Sequence, residues 1–394
     1  MGIYTGPLTH DHCIQVFSRE EIGRRRQIVL DAMKEQDLDA VLIHTADHVL
    51  YLSGIPLLSE WGRPLWMVLK SSGEGALIGA AIEQENMRES YFDETLTYAD
   101  AQNVVSSALD LLTGFVGSAK RVGVETGSLP VRLYFELQER FSGAEQVDIS
   151  RVITNARLVK SSEELQLLRL GGEVAKIGAS AFLEIFKEGV SELAITSYAV
   201  AEMNRATAAL CPAALSSTYS YSQLGQRTLT PHLHAGGRRA KRGDIVGLNV
   251  FPVLSGYCIE LERTFVFGGA NEEQQGALDA ATLAFDVAKK MVAPGVLHAD
   301  VDAAATEVLV DAGYGDFIRH GTGHAHGIMI GSASREEGGE LRSYNSNALR
   351  PGMICSVEPA VFLPGIGAFR HSDVLIVTET GSELITEFEV AIQQ

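Results

Sequence analysis

Residues 243–265 read GDIVGLNVFPVLSGYCIELERTF. Short apolar runs punctuated by Gly, Pro and Ser are the pattern of sheet strands joined by tight turns. Within YCIELERT, residues 257–264, a strand places Ile259, Leu261 and Arg263 on one side and Glu260, Glu262 and Thr264 on the other. Two carboxylates then share a face. Each raises the pKa of the other unless a cation lies between them, whether a metal ion, a substrate amidinium or an arginine. A solvent-facing edge strand is the competing reading of this segment alone.

Three further segments carry polar residues where their neighbours call for apolar ones: PHLH at 231–234, HGTGHAHG at 320–327 and SVEP at 356–359. His320, His324 and His326 lie among glycines, where the backbone approaches a ligand closely, and imidazole near neutral pH serves as ligand, acid or base. The chain has no G-x-S-x-G elbow, no phosphate-binding G-x-x-x-x-G-K-[ST] loop and no dinucleotide fingerprint after a strand.

Working outward, the 394 residues suffice for two domains. Lys and Arg total 32 against 50 Asp and Glu, a formal net charge of −18, which repels a phosphate backbone and argues against nucleic acid as a partner. Cys13, Cys211, Cys258 and Cys355 are widely spaced without a CxxC pair, which disfavours a disulfide framework or a zinc knuckle and suits a reducing compartment. The N-terminus lacks an apolar signal core, and no apolar run reaches the ~18 residues that span a bilayer. The expectation is a cytoplasmic protein with no membrane partner.

The first part reads as an α/β domain. Ser18 caps an opening helix that runs to about Gln36; strands are expected at 40–43, 49–52, 67–69, 76–78 and 121–124, and a helix at 104–114. At Ser161 and Glu164 a capping box opens a long helix and a second domain. There helices near 192–209, 272–292 and 301–312 are segregated from strand runs at 244–267, 352–361 and 374–377, an α+β pattern with an antiparallel sheet. The boundary expected is 1–158 and 159–394.

These motifs carry a family resemblance. Residues 243–265, HGTGHAHG, GMICSVEP (352–359) and FRHSDVLIVTETG (369–381) resemble the creatinase and aminopeptidase P, or pita-bread, superfamily in order and spacing. WGRP (61–64) and SREEGGELR (334–342) resemble its creatinase branch. The resemblance implies an α/β N-terminal domain plus an α+β pita-bread catalytic domain. The five metal-ligand positions of the superfamily's peptidases correspond here to Asn249, Glu260, His324, Glu358 and Ser372. Asn249 and Ser372 lack the anionic oxygens that two hard cations need. Glu260, His324 and Glu358 remain as a set for one ion if one is bound.

In the creatinase branch the catalytic His corresponds to His232, the guanidinium-binding carboxylates to Glu262 and Glu358, and the carboxylate-binding arginines to Arg63 and Arg335. Trp61, Tyr257, Glu260, His324 and His326 complete the expected substrate site. The activity implied is that of a metal-independent, cofactor-free C–N hydrolase of a small amidine or guanidino carboxylate, with creatine to sarcosine and urea as the leading reaction. The alternatives are a metal-dependent Xaa-Pro aminopeptidase or dipeptidase and a non-catalytic binding protein; metal content separates the first two. The resemblance also implies a homodimer in which Arg63 reaches the partner's site.

Overall fold

The computed structural model describes residues 14–57, 62–92, 94–101, 103–330 and 337–390. In the N-terminal half, α1 (Arg19–Glu35) begins where Ser18 Oγ accepts the Glu21 N–H at 3.1 Å, and it buries Ile22, Val29 and Met33. It is followed by β1 (Ala40–Ile43), α2 (Ala46–Ser53), β2 (Trp66–Lys70), β3 (Gly75–Ala80), α3 (Gln84–Arg88), β4 (Glu94–Tyr98), α4 (Val104–Val116), β5 (Arg121–Val124), α5 (Val131–Arg140), β6 (Glu145–Asp148) and α6 (Ser150–Leu158). The strands form one six-stranded mixed sheet in the order β4-β3-β2-β1-β5-β6, with β1 antiparallel to β2 and parallel to β5.

One expected strand is corrected: residues 49–52 lie in helix α2. Val49, Leu50, Tyr51 and Leu52 are all fully buried, so the apolar run has no periodicity to separate helix from strand. The helix is ended by Gly54 at φ 77°, whose N–H bonds Leu50 O in a left-handed C-cap.

In the C-terminal half, Ser161 and Glu164 form the expected capping box of α7 (Ser162–Ile185), which packs on α8 (Glu192–Leu210). Then come β7 (Tyr219–Leu224), β8 (Ile245–Phe251), β9 (Val253–Leu254), β10 (Tyr257–Cys258), β11 (Leu261–Val266), α9 (Glu272–Met291) and α10 (His298–Asp311). The chain finishes with β12 (Gly327–Ile328), β13 (Ile354–Val357), β14 (Ala360–Leu363), β15 (Gly367–Arg370), β16 (Asp373–Val377) and β17 (Ser382–Leu384). The sheets are β11-β8-β7, β13-β16-β17, β12-β10-β9 and the β14-β15 pair, with every pairing antiparallel. Helix α7 covers β8 and β11, and α9 covers β11 and β13–β15, so the sheet surface is enclosed from two sides. This is the α+β layering expected from the segregation of strands and helices.

One apolar core crosses both halves, running from Val16 and Met33 through Leu254 to Ile376. Polar struts reinforce the junction: Ser18 Oγ donates to Glu163 at 2.6 Å, and buried Arg157 donates to Ile328 O at 2.9 Å. Cys211, Cys258 and Cys355 are buried and free; Cys13 lies outside the described residues. Among the described residues no helix is long and apolar enough to cross a membrane.

Candidate functional site

Two strand junctions converge to form the site. On one, Glu262 of β11 and Ser372 before β16 exchange backbone hydrogen bonds of 3.2 and 3.0 Å. This sets Glu260 and Glu262 against Arg370, at the end of β15, and Ser372. On the other, residues 322–326 run antiparallel to β13: the N–H groups of Glu358, Ser356 and His326 donate to the carbonyls of Thr322, His324 and Ile354 at 2.6, 2.8 and 3.2 Å. The two-residue period then puts His324 and His326 on one side. Gly323 permits the approach, since a Cβ there would lie 2.0 Å from Ser356 O.

The result is a cluster of three buried carboxylates, two buried imidazoles and one part-buried guanidinium. Arg370 Nη2 lies 2.5 Å from Glu262 Oε1, and its Nη1 lies 3.4 Å from Glu358 Oε2. His324 Nε2 is 3.4 Å from Glu358 Oε1 and 3.6 Å from Glu260 Oε2. His326 Nε2 is 3.4 Å from the same Glu260 oxygen, while Ser372 Oγ donates to the other at 2.7 Å. On the far side of β11, Arg263 faces away and forks onto Asp373 at 2.9 and 3.0 Å. The alternation read from the sequence therefore holds, although both faces are buried.

Environment divides the acids. Burial alone would raise Glu260, but His326 and His324, with the Ser372 hydroxyl, hold it below the usual carboxylate range. Glu262 goes the other way: burial, reinforced by Glu260 and Glu358, outweighs Arg370 and pushes its carboxyl well above that range. Burial opposes the charge of Arg370, yet Glu262 and Glu358 overcome it and strengthen the guanidinium.

The remaining expected residues are dispersed. His232 is exposed, in a loop pinned by Gln223, whose Nε2 donates to Pro231 O at 2.9 Å and Leu233 O at 3.0 Å. Pro231, Asn249, Thr264 and Arg370 line a cavity of about 20 Å³ beside this loop, room for roughly one water. Tyr257 is corrected from a substrate contact to a strut: it is buried, its hydroxyl donates to Glu164 at 2.9 Å and its ring lies 5.3 Å from that of Phe17. Arg63 pairs with Asp100 in its own half, its Nη2 2.6 Å away. Trp61 and Arg335 lie outside the described residues. His320 sits edge-on to Phe362, its pKa lowered by burial.

Sequence reading missed Arg370 and Gln223. Arg370 closes the apolar stretch at 366–369 and stands two residues before Ser372, so a period of two puts both on one face, as it did Glu260 and Glu262.

Residues 166–379 match metallopeptidase family M24, and residues 25–159 match the creatinase/prolidase N-terminal domain. The chain belongs to family M24. Members of this family are hydrolases, and the match covers every residue of the cluster. The creatinase of Bacillus sp. (strain B-0618) is 30% identical over 379 residues, 94% of this chain and 92% of that protein. The Xaa-Pro dipeptidase of Pyrococcus horikoshii is 26% identical over 364 residues, 92% of this chain and 96% of that protein. Among solved structures, the prolidase from Pyrococcus horikoshii OT3 superposes with a TM-score of 0.80 at 24% identity, covering 93% of this chain and 99% of that one.

These likenesses correct the expectation of a metal-independent amidinohydrolase. The matched family is one of metallopeptidases, and most of the sequence relatives carry peptidase or dipeptidase names. The M24 cluster of this chain does not fit two ions, however. Asn249 offers an amide whose Nδ2 donates to Gln223 Oε1 at 2.9 Å, Ser372 offers a hydroxyl that donates to Glu260, and Arg370 already occupies the space between Glu262 and Glu358. Glu260, His324 and His326 do fit a single ion, with ligand atoms within 4.8 Å of one another.

Proposed function

We propose that this M24 protein hydrolyses the peptide C–N bond of a small substrate of the Xaa-Pro dipeptide class. The observation that carries the reading is the convergence of Glu260, Glu262, Glu358, His324, His326 and Arg370 in one buried site on a chain that matches the family along its catalytic half. The chemistry of that site suits hydrolysis. Glu262, whose carboxyl is pushed upward by burial and by its acidic neighbours, would pass a proton to a leaving nitrogen, and Glu358 would accept one from attacking water. Arg370 is a fixed cation beside both, placed to balance negative charge that develops on the carbonyl oxygen. His232, at the exposed loop, carries protons to and from solvent.

In the same reading two chains pair, and Arg63 of each reaches the other's site to grip the substrate carboxylate. Its support is the resemblance of WGRP and the half-exposed position of Arg63 on the N-terminal half. Sedimentation of the active species checks the dimer.

The direct test is to incubate the purified protein with Gly-Pro, Ala-Pro and Leu-Pro, with matched non-proline dipeptides as controls, and detect released amino acids by mass spectrometry. Release from the proline dipeptides, lost by at least ~10²-fold in Glu262→Gln, is the expected result. No release from any dipeptide, with or without added divalent metal, overturns the reading.

A further inference from the structure

We propose that Glu260, His324 and His326 form a site for one divalent transition-metal ion, in place of the two-ion centre that the M24 ligand positions would build. Glu260 and His324 fall at two of those five positions; His326 does not, so the site is this chain's own arrangement. Four observations support it.

The first is convergence. The two imidazole Nε2 atoms lie 3.6 and 3.4 Å from one oxygen of Glu260. These separations are too long for good hydrogen bonds, yet they match the spacing of ligands that each stand ~2.0–2.2 Å from a shared ion. The second is orientation. His324 Nδ1 lies 2.9 Å from Ala325 O and His326 Nδ1 lies 3.3 Å from Cys258 O. When an ion displaces the Nε2 protons that pair with Glu260 in its absence, the proton kept on each Nδ1 leaves both Nε2 lone pairs facing the ion, the tautomer that metal-ligating histidines adopt through such carbonyl partners.

The third is an unmet polar atom: His326 is 1% exposed, and its Nε2 has no hydrogen-bond partner. The fourth concerns the remainder of the cluster. Ser372 Oγ holds the other oxygen of Glu260 at 2.7 Å and so directs Oε2 at the imidazoles, as the outer contact of a ligand carboxylate does. The neighbouring group of Glu260, Glu262 and Glu358 also brings three carboxylates together, but Arg370 already supplies its cation. The protein thus neutralises one end of the cluster with its own side chain and leaves the other end to an ion. Two imidazoles and one carboxylate suit zinc, cobalt or iron better than magnesium or calcium, and leave further positions open for water or substrate.

The test is made without substrate, so its failure and that of the dipeptidase reading remain separable. The full-length protein is stripped with chelator, loaded with Zn²⁺ or Co²⁺, passed through gel filtration and measured for metal per chain. One ion per chain is expected, with the visible absorption of a nitrogen- and oxygen-ligated cobalt centre and a raised melting temperature on adding Zn²⁺. His326→Leu should weaken Co²⁺ binding by at least ~100-fold while Asn249→Ala binds as the parent does. Should His326→Leu fail to fold, His326→Gln with the parent's stoichiometry and spectrum decides the matter. No retained ion, two ions per chain, or one ion whose spectrum and affinity survive loss of His326 would each overturn the proposal.

Discussion

Glu125 in the N-terminal half and Glu262 in the C-terminal half are both almost wholly buried, at 1% and 3% exposure, yet their surroundings differ. Glu125, just after β5, has each oxygen answered: Oε1 by His48 Nδ1, and Oε2 by the N–H groups of His44 at 2.5 Å and Thr45 at 2.8 Å. These partners pin the start of α2 to the sheet. Glu262 has one oxygen on Arg370 and the other, Oε2, buried without a partner among the described residues. Buried polar groups in folded proteins are nearly always satisfied, so the exceptions mark where a molecule departs from what folding alone requires. In this chain Glu262 Oε2 and His326 Nε2 are such exceptions within one cluster, and Glu125 shows what a purely structural carboxylate looks like in the same fold.

The largest effect that would break this contrast comes from Arg370→Met. The substitution leaves Glu262 and Glu358 buried without their cation, and removing one partner of a buried ion pair costs about 3–5 kcal/mol. The midpoint of urea unfolding at neutral pH should fall accordingly, and adding Glu262→Gln to the same chain should recover part of the loss, because the uncompensated acid is gone. An unchanged midpoint in the single variant would mean that the Arg370 ion pairs contribute nothing and that the cluster is wetter than its burial indicates.

Next in size is Glu125→Gln, expected to cost about 1–3 kcal/mol by weakening the bonds to His48 and the two amides. The sign of its pH dependence follows from the depressed carboxyl. Burial would raise Glu125, but His48 and the backbone amides outweigh it and hold the group below its ordinary 4.5. A group lowered in the folded state contributes stability above its unfolded pKa, and that contribution is lost as pH falls through the folded value. The gap between parent and variant should therefore be full at pH 7 and close in acid, below about 4.5, read from unfolding midpoints across pH. Metal binding and turnover at neutral pH should match the parent; a large loss of either would move Glu125 out of its structural role.

How much of this was legible beforehand depends on where the signal lives. The carboxylate pair of Glu260 and Glu262 was visible because a strand alternates with period two, and the capping box at Ser161 with the segregated strand runs indicated the layering of the second half. Tyr257 was placed at the substrate by family resemblance, whereas its hydroxyl reaches Glu164, 93 positions away in the chain. The strand expected at 49–52 failed for the reason full burial always blurs periodicity. Above all, whether Glu260 meets a substrate, a metal ion or an arginine was left open, and its histidine neighbours lie on the 322–326 segment, which is brought to it only by pairing with β13. No local pattern encodes that contact.

The smallest effect concerns Asn249, which stands at a peptidase ligand position but is turned to another use. Its Nδ2 donates to Gln223 Oε1, and Gln223 in turn donates to the carbonyls on either side of His232. The chain Asn249–Gln223–loop is a positioning device for His232, built where a metal ligand would otherwise sit. Gln223→Ala should cost about 1–2 kcal/mol of stability, since Gln223 is buried and its loss leaves Asn249 Nδ2 without an acceptor. Turnover on a cleaved dipeptide should nonetheless fall about 10–10²-fold, carried by kcat rather than KM, because a displaced proton carrier slows the reaction without loosening the substrate. Gln223→Glu should do no better: it accepts from Asn249 but has no N–H for the carbonyls of Pro231 and Leu233. Asn249→Ala, which spares both donors, should be milder than either. Full turnover in Gln223→Ala would detach His232 from the mechanism and return the whole reaction to the buried cluster.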